Sequence, residues 1–419
     1  MSTVRSFPVA AVLAIVLLPA LPRAASADGF EAPPVLQAKG AATAALLSGR
    51  GFRVDPRVPT NGLTTEFTIQ SDVGTFPALG AETLALRESE IPALLQLDRD
   101  SKAAIFANAV GTTAMKPLKS AAQMLTSPVE TVQGLPEGLG RFFDRVEAGA
   151  EKLGAAVTNS NTDVAANGDS VAEMAGGITA NALGYNLELR QLAKKLGVDP
   201  YTSNPVLAEK LGEFAQVAFV GHVATNTLIS VAVPASLAIT ATNVTRDLVY
   251  DTPAADLIVK ITTNLQAMGI ADDVIRAFQQ APGFTLSMRT DFVDTLQKLA
   301  GVTGRSDVVA LAATVKTADQ GLFLVRALRM LVRYQQDVAP LAALTASGTV
   351  IATDANGALF VPAPVDYVSW TERVSRFAQR DDLTAPKRSV WLSGRMTPRA
   401  KTEFEALGWS VRERATSRP

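Results

Sequence analysis

Hydrophobic and polar positions change rhythm three times along the chain. Over residues 28–80, short runs alternate with a period of two, as in Phe52-Arg53-Val54 and Thr64-Thr65-Glu66-Phe67-Thr68-Ile69. Such alternation sends successive side chains to opposite faces and predicts strands. Asn61-Gly62, behind Pro59, is a turn pair of the hairpin kind. A small β-rich element is expected here.

From about Ala81 the period becomes helical. Leu84, Leu86, Ile91, Leu94 and Leu97 fall near one face, with Pro92 placed to kink the run. Leu139, Phe142, Phe143, Val146, Ala150 and Leu153 form a second stripe, and a polar run over 158–170 marks a loop. A helix over 170–196 should end at Gly197 and Asp199-Pro200. Its Gly176, Ala180 and Gly184 recur every four positions, as tight helix packing requires. Further helices are expected over 205–233, 236–250, 253–268, 271–280, 285–300 and 305–337, with Asp272 and Thr285 as N-caps. Residues 81–340 therefore read as an all-α domain.

The last third change comes after residue 340. Thr349 to Val361 reads as a hairpin turning at Asp354-Ala355-Asn356-Gly357. A helix over 366–379, a strand over 389–392, a helix over 398–407 and a strand over 409–412 follow, the order of a small α/β sandwich. The expected class is mainly α: a multi-helix central domain (81–340), a small N-terminal β-element (28–80) and a C-terminal α/β unit (341–419).

Residues 1–27 carry an export pattern. Arg5 precedes an apolar run from Val9 to Leu21, and Ala25-Ser26-Ala27 supplies small residues for cleavage. The run is shorter than the roughly 20 residues a membrane span needs. A signal peptide over 1–27 is expected, with the bacterial periplasm as destination and secretion or membrane association as the alternatives.

Composition narrows the chemistry. The chain has no Cys and one His, which removes thiol nucleophiles, disulfides and the common zinc sites. Its 39 basic and 40 acidic residues give no basic excess, so nucleic acid is not an expected partner. From Thr371 onward, however, 11 basic residues stand against 6 acidic ones, and Trp370, Trp391 and Trp409 lie in the same C-terminal unit.

No nucleophile elbow, phosphate loop or dinucleotide fingerprint occurs. His222 lies in an apolar segment and reads as a packing residue. Asn159, Asn161 and Asp163 imitate the start of a calcium loop, but Val164 and Ser170 stand where its Gly and Glu belong. Asn243-Val244-Thr245 matches a glycosylation sequon, which at this length is a chance match. Neither a cofactor nor a metal is expected.

Arg326, Arg329 and Arg333 fall at i, i+3 and i+7, on one stripe of a helix. They are a candidate grip for phosphate or carboxylate groups such as lipid headgroups. The competing reading is arginine stems laid along an otherwise buried helix. Residues 214–245 carry no charge, and Pro234 with five polar side chains makes them a buried helical hairpin rather than a membrane span.

Gly197-Val198-Asp199-Pro200-Tyr201 with Asn204-Pro205, Tyr250-Asp251-Thr252-Pro253, Asp366-Tyr367 with Trp370-Thr371, and Ser393-Gly394-Arg395 with Gly408-Trp409 form a further set of strings. In these the chain resembles a loose group of uncharacterised exported bacterial proteins. That resemblance implies export and carries over no functional residue.

The expected function is that of an exported envelope protein of non-enzymatic binding or scaffolding type. Its expected partner is another envelope protein or a membrane surface touched from outside. The alternative is a hydrolase built on carboxylates and Ser, with Asp366 and Ser393 at strand ends where α/β units place functional groups.

Overall fold

The computed structural model describes residues 29–101, 180–221 and 243–415. The expected signal peptide, the stripe from Leu139 to Leu153, the polar run with Asn159, Asn161 and Asp163, Gly176, His222 and most of 214–245 lie outside them.

The N-terminal strands are antiparallel. β1 (Leu36–Gln37) pairs with β4 (Arg57–Val58). β2 (Ser48–Gly49), β3 (Phe52–Val54), β5 (Glu66–Ser71) and β6 (Gly74–Leu79) form a four-stranded sheet in that order. Period-two alternation points Phe67 and Ile69 inward. The tight hairpin turns at Asp72-Val73, between β5 and β6, and not at Asn61-Gly62. Asn61 instead closes a local turn, its Oδ1 accepting from the Leu63 and Thr64 amides at 3.1 and 3.0 Å.

Helix α1 (Gly80–Ser101) runs on through Pro92 and buries Leu84, Ile91, Leu94 and Leu97. With α2 (Ala180–Leu196), α3 (Pro205–Gly221) and the N-terminal sheet it encloses one hydrophobic core.

Tyr250 of α4 (Asn243–Asp251) packs against this first core, and a second core begins in α5 (Ala254–Ala267), α6 (Asp272–Gln280), α7 (Leu286–Gln297), α8 (Arg305–Ala313) and α9 (Ala318–Asp337). Phe278, Phe284 and Phe292 lie at its centre, with ring centroids 5.2, 5.1 and 5.5 Å apart. Thr285 caps α7 by accepting from the Met288 amide, whereas Asp272 is the first helical residue and Ala271 the cap. The helix expected over 305–337 is two helices. Thr317 and Gln320 form a reciprocal capping box that starts α9 afresh.

This core continues into the C-terminal sheet, ordered β13 (Trp409–Arg412), β11 (Arg388–Leu392), β9 (Leu359–Ala363), β8 (Val350–Asp354) and β7 (Leu341–Ala346). β9, β11 and β13 are parallel, while β8 and β7 are antiparallel. The crossover helices α10 (Glu372–Ala378) and α11 (Pro398–Ala406) connect the parallel strands. On the face toward α9, Tyr334 stacks on Phe360 at 4.2 Å, and Trp391 closes edge-on against Phe360. Two residue pairs form the remaining sheet, β10 (Tyr367–Val368) parallel to β12 (Arg395–Met396).

The chain is thus α/β and not mainly α. About 52% of the described residues are helix and 19% strand, and they form four sheets that include the five-stranded C-terminal one. Strands of two or three residues, such as β1, β2, β4, β10 and β12, are too short for a period to register. β7, Leu-Ala-Ala-Leu-Thr-Ala, is built from good helix formers that sheet pairing overrides.

Candidate functional site

Residues from the two ends of the chain meet at the carboxyl ends of β9 and β11. In open α/β sheets this edge is where ligands bind, because the loops there diverge. Asp366, just beyond β9, accepts four hydrogen bonds. Thr64 Oγ1 donates at 2.6 Å, the Thr65 amide at 2.8 Å and the Ala81 amide at 2.9 Å, and the Thr65 hydroxyl supplies the fourth. The carboxylate therefore sits at the N-terminus of α1, where free amides and the helix dipole favour an anion.

Two glycines permit this approach. Gly80 opens α1 at φ +80°, and a Cβ there would meet Thr64 Oγ1 at 3.0 Å. A Cβ on Gly394 would lie 1.9 Å from the Asp366 carbonyl oxygen.

Beside Asp366 is a polar pocket of about 30 Å³, lined by Thr64, Glu82, Asp319, Arg326 and Ser393 among others. Arg326 Nε pairs with Glu82 at 2.9 Å, and its Nη1 donates to Thr83 Oγ1 at 3.0 Å. Its Nη2 and Ser393 Oγ are buried without a hydrogen-bond partner. Burial raises the Asp319 carboxyl above its ordinary value against the pull of Arg87 and Arg326. The space suits a bridging water and is too small for an organic ligand. The structure thus brings Asp366 and Ser393 to one pocket. Both Asp366 oxygens are already engaged, and no base is hydrogen-bonded to Ser393.

Phe323 and Val365 line this pocket on one side and, on the other, a cavity of about 430 Å³. That volume lies within the roughly 300–1,000 Å³ of small-molecule sites. Its floor is one face of the sheet. Val361 pairs with Val390 and Ala363 with Leu392, so all four point the same way, opposite to Phe360 and Trp391. Val374 and Phe377 of α10 and Phe404 of α11 form the roof, and Leu63 closes one side. Its accessible surface comes from the partly buried Leu63, Ala363 and Phe377 and from the arginines, while Val361, Val374, Val390 and Leu392 behind them are 3% exposed or less.

Polar groups are few. Arg373, Arg376 and Arg380 line the cavity with Ser347, Thr349 and Asp382. Arg380 donates to the Ser347 carbonyl at 2.9 Å and to Asp382 Oδ1 at 2.9 Å. That contact holds the Asp382 carboxyl below its ordinary value. Arg373 Nη2 donates to the Asn61 carbonyl at 3.0 Å, which ties the cavity to the Asn61 turn. Arg376 is exposed and marks where the cavity reaches solvent.

The arginine row expected to grip anions is placed differently. Arg326 pairs with Glu82, Arg329 with Asp291 and Arg333 with Asp337, the last at 3.2 Å near the surface. Each guanidinium on that stripe already faces a carboxylate. The three Trp residues are buried in the C-terminal core. The sequence reading missed Arg373, Arg376 and Arg380. Their spacing of three and four repeats that of the Arg326 row, inside the segment already marked by its basic excess.

Away from the cavity, a buried polar seam joins the two cores. Asp199 Oδ1 accepts from the Tyr201 amide at 2.8 Å and from Ser287 Oγ on α7. Burial pushes the Asp199 carboxyl up to about 6, with Glu90 and Asp291 adding like-charge repulsion. Because the folded value exceeds the unfolded one, the native state holds the extra proton between about pH 4 and 6. This contribution to stability is complete below the unfolded value and is lost as pH rises through about 6. Urea unfolding midpoints should therefore be higher at pH 5 than at pH 7. Asp199→Asn should reduce that difference, and an undiminished slope in the variant would assign the effect to another group.

Among the described residues no cluster of three or more His, Cys, Asp or Glu could hold a metal. Among them also, no helix is long and apolar enough to cross a membrane. No known protein family, curated protein or solved structure matches this chain.

Proposed function

We propose that the protein is an exported, non-enzymatic binding protein of the bacterial envelope whose C-terminal unit takes up a hydrophobic small molecule. The observation that carries this reading is the 430 Å³ cavity lined by the C-terminal sheet, helices α10 and α11 and Leu63. Apolar walls with a few polar groups are the usual composition of a ligand site. Export is supported by the apolar run behind Arg5 and the Ala25-Ser26-Ala27 pattern.

The test is binding of N-phenylnaphthylamine, an uncharged fluorophore that brightens in apolar surroundings. The full chain should enhance its emission saturably. The variant Ala363→Phe places a ring into the cavity from a position that is only partly buried. It should weaken binding at least about ten-fold. Filling should also leave stability unchanged or raise it by roughly 0.5–2 kcal/mol. No enhancement by the native chain, or equal binding by the filled variant, would sink the reading.

A further inference from the structure

We infer that Arg380 gates the cavity: its guanidinium reaches from the end of α10 to the turn between β7 and β8, and a ligand enters and leaves when that link is released. This rests on the cavity-binding reading above and adds to it the route and the residue that controls it.

Two parts of the cavity wall are held in different ways. Leu63 is fixed through main chain, because the Tyr367 amide donates to the Leu63 carbonyl at 3.3 Å and the Ser369 amide to the Gly62 carbonyl at 3.0 Å. Ser347, in the turn between β7 and β8, is joined to the end of α10 by side chains. Arg380 Nη1 donates to the Ser347 carbonyl at 2.9 Å, and Nη2 donates to the Ser347 hydroxyl. Asp382 completes the link, accepting from Arg380 Nε at 2.9 Å and from Ser347 Oγ at 3.1 Å. Ser347, Arg380 and Asp382 all line the cavity. The Arg380 guanidinium also lies over the ring of Phe377, 5.6 Å from its centre, and so covers a partly buried aromatic wall.

The link is built to open while its supports stay in place. The Arg380 and Asp382 side chains are 24% and 50% exposed. Water replaces each contact as it breaks, so a pair of this kind is weak and screened by salt. On either side of Arg380 the chain is anchored by Ala378 and Leu383, both fully buried. Across the opening, residues 347–349 form a three-residue hairpin turn with Gly348 at φ +78°. The part that swings is therefore the arginine side chain. An uncharged apolar ligand takes no charge-assisted bond from it, so releasing the link changes entry and exit alike and leaves affinity nearly constant.

Stopped-flow mixing of the full chain with N-phenylnaphthylamine reads both rates. Arg380→Gln should raise association and dissociation each at least about three-fold, with Kd within about two-fold of native. Asp382→Asn, at an exposed position, should act in the same direction. The probe is uncharged, so added salt should speed both rates in the native protein and spare Arg380→Gln. The chain has no Cys of its own. Ser347→Cys/Asp382→Cys, bridged by a one-carbon reducible thiol cross-linker, should therefore slow both rates at least about ten-fold until a reductant opens the bridge. Native rates in Arg380→Gln, or unslowed rates in the bridged protein, overturn the inference and leave the cavity reading standing. Faster dissociation with unchanged association would make Arg380 a ligand contact, which also overturns it. Should Arg380→Gln fail to fold, the bridged protein decides alone. Failure of the native chain to bind the probe is the separate result that defeats the cavity reading.

Discussion

Asp366→Ala should destabilise the folded protein by roughly 3–5 kcal/mol, although Asp366 lies beyond any strand and is only half-buried. Its two oxygens hold together Thr64, Thr65 and the first turn of α1, 285 residues away in sequence at Ala81. Each hydrogen bond to a charged group is worth about 1.5–3 kcal/mol, and the four share two oxygens, so the sum is less than four times one bond. Removing the carboxylate also leaves the Thr65 and Ala81 amides facing a void. Asp366→Asn keeps the shape and one acceptor and should lose about half as much. Urea unfolding at pH 7 measures both. A loss under about 1 kcal/mol for the alanine variant would show that the two ends of the chain are joined by other contacts.

Glu90→Ala should cost a similar amount, about 3–5 kcal/mol, by a different route. Arg87 and Glu90 form a buried ion pair at 3.0 Å on successive turns of α1. Glu90 also accepts from Thr202 Oγ1 at 2.5 Å and from Asn204 Nδ2 at 2.9 Å, while Arg87 donates to Ser203. The loop between α2 and α3 is thereby fixed to α1. Deleting the carboxylate alone strands a guanidinium in the interior, where water cannot compensate it. Arg87→Met/Glu90→Ala removes the stranded charge and should be less damaging than Glu90→Ala by itself. If the double variant is instead as unstable as the two single losses added together, the two charges are not coupled.

Much of the local structure was legible because it depends on local signals. The helical stripe of Leu84, Ile91, Leu94 and Leu97 forms the buried face of α1, and Thr285 and Thr397 cap the helices that follow them. The alternation from Glu66 to Ile69 lies in β5, and the turn at Asp354 to Gly357 joins β8 to β9. The balance of the fold was not legible. Strands two residues long carry no period, and Ala-Leu-rich β7 is a strand only because β8 and a backbone contact with Thr303 hold it there.

The site was harder still. Asp366 and Ser393 stood out as strand-end residues, but the partners that saturate Asp366 come from the far end of the chain. A cavity is an absence of side-chain volume between elements, and the residues that line it look the same in a sequence whether or not that space is filled. Arginine spacing pointed to the 326 row. That row and the 373 row have the same spacing, and only the tertiary fold sets the second one along the cavity.

Methyl-selective NMR of the full chain with N-phenylnaphthylamine addresses the central claim most directly. With Val and Leu methyls labelled, titration should shift Val361, Val374, Val390 and Leu392, which line the cavity. Methyls in the first core, such as those of Leu94 and Leu192, should stay still. Absence of shifts at the four cavity residues, or shifts confined to exposed methyls such as those of Val259 and Val338, would contradict ligand binding in the C-terminal unit.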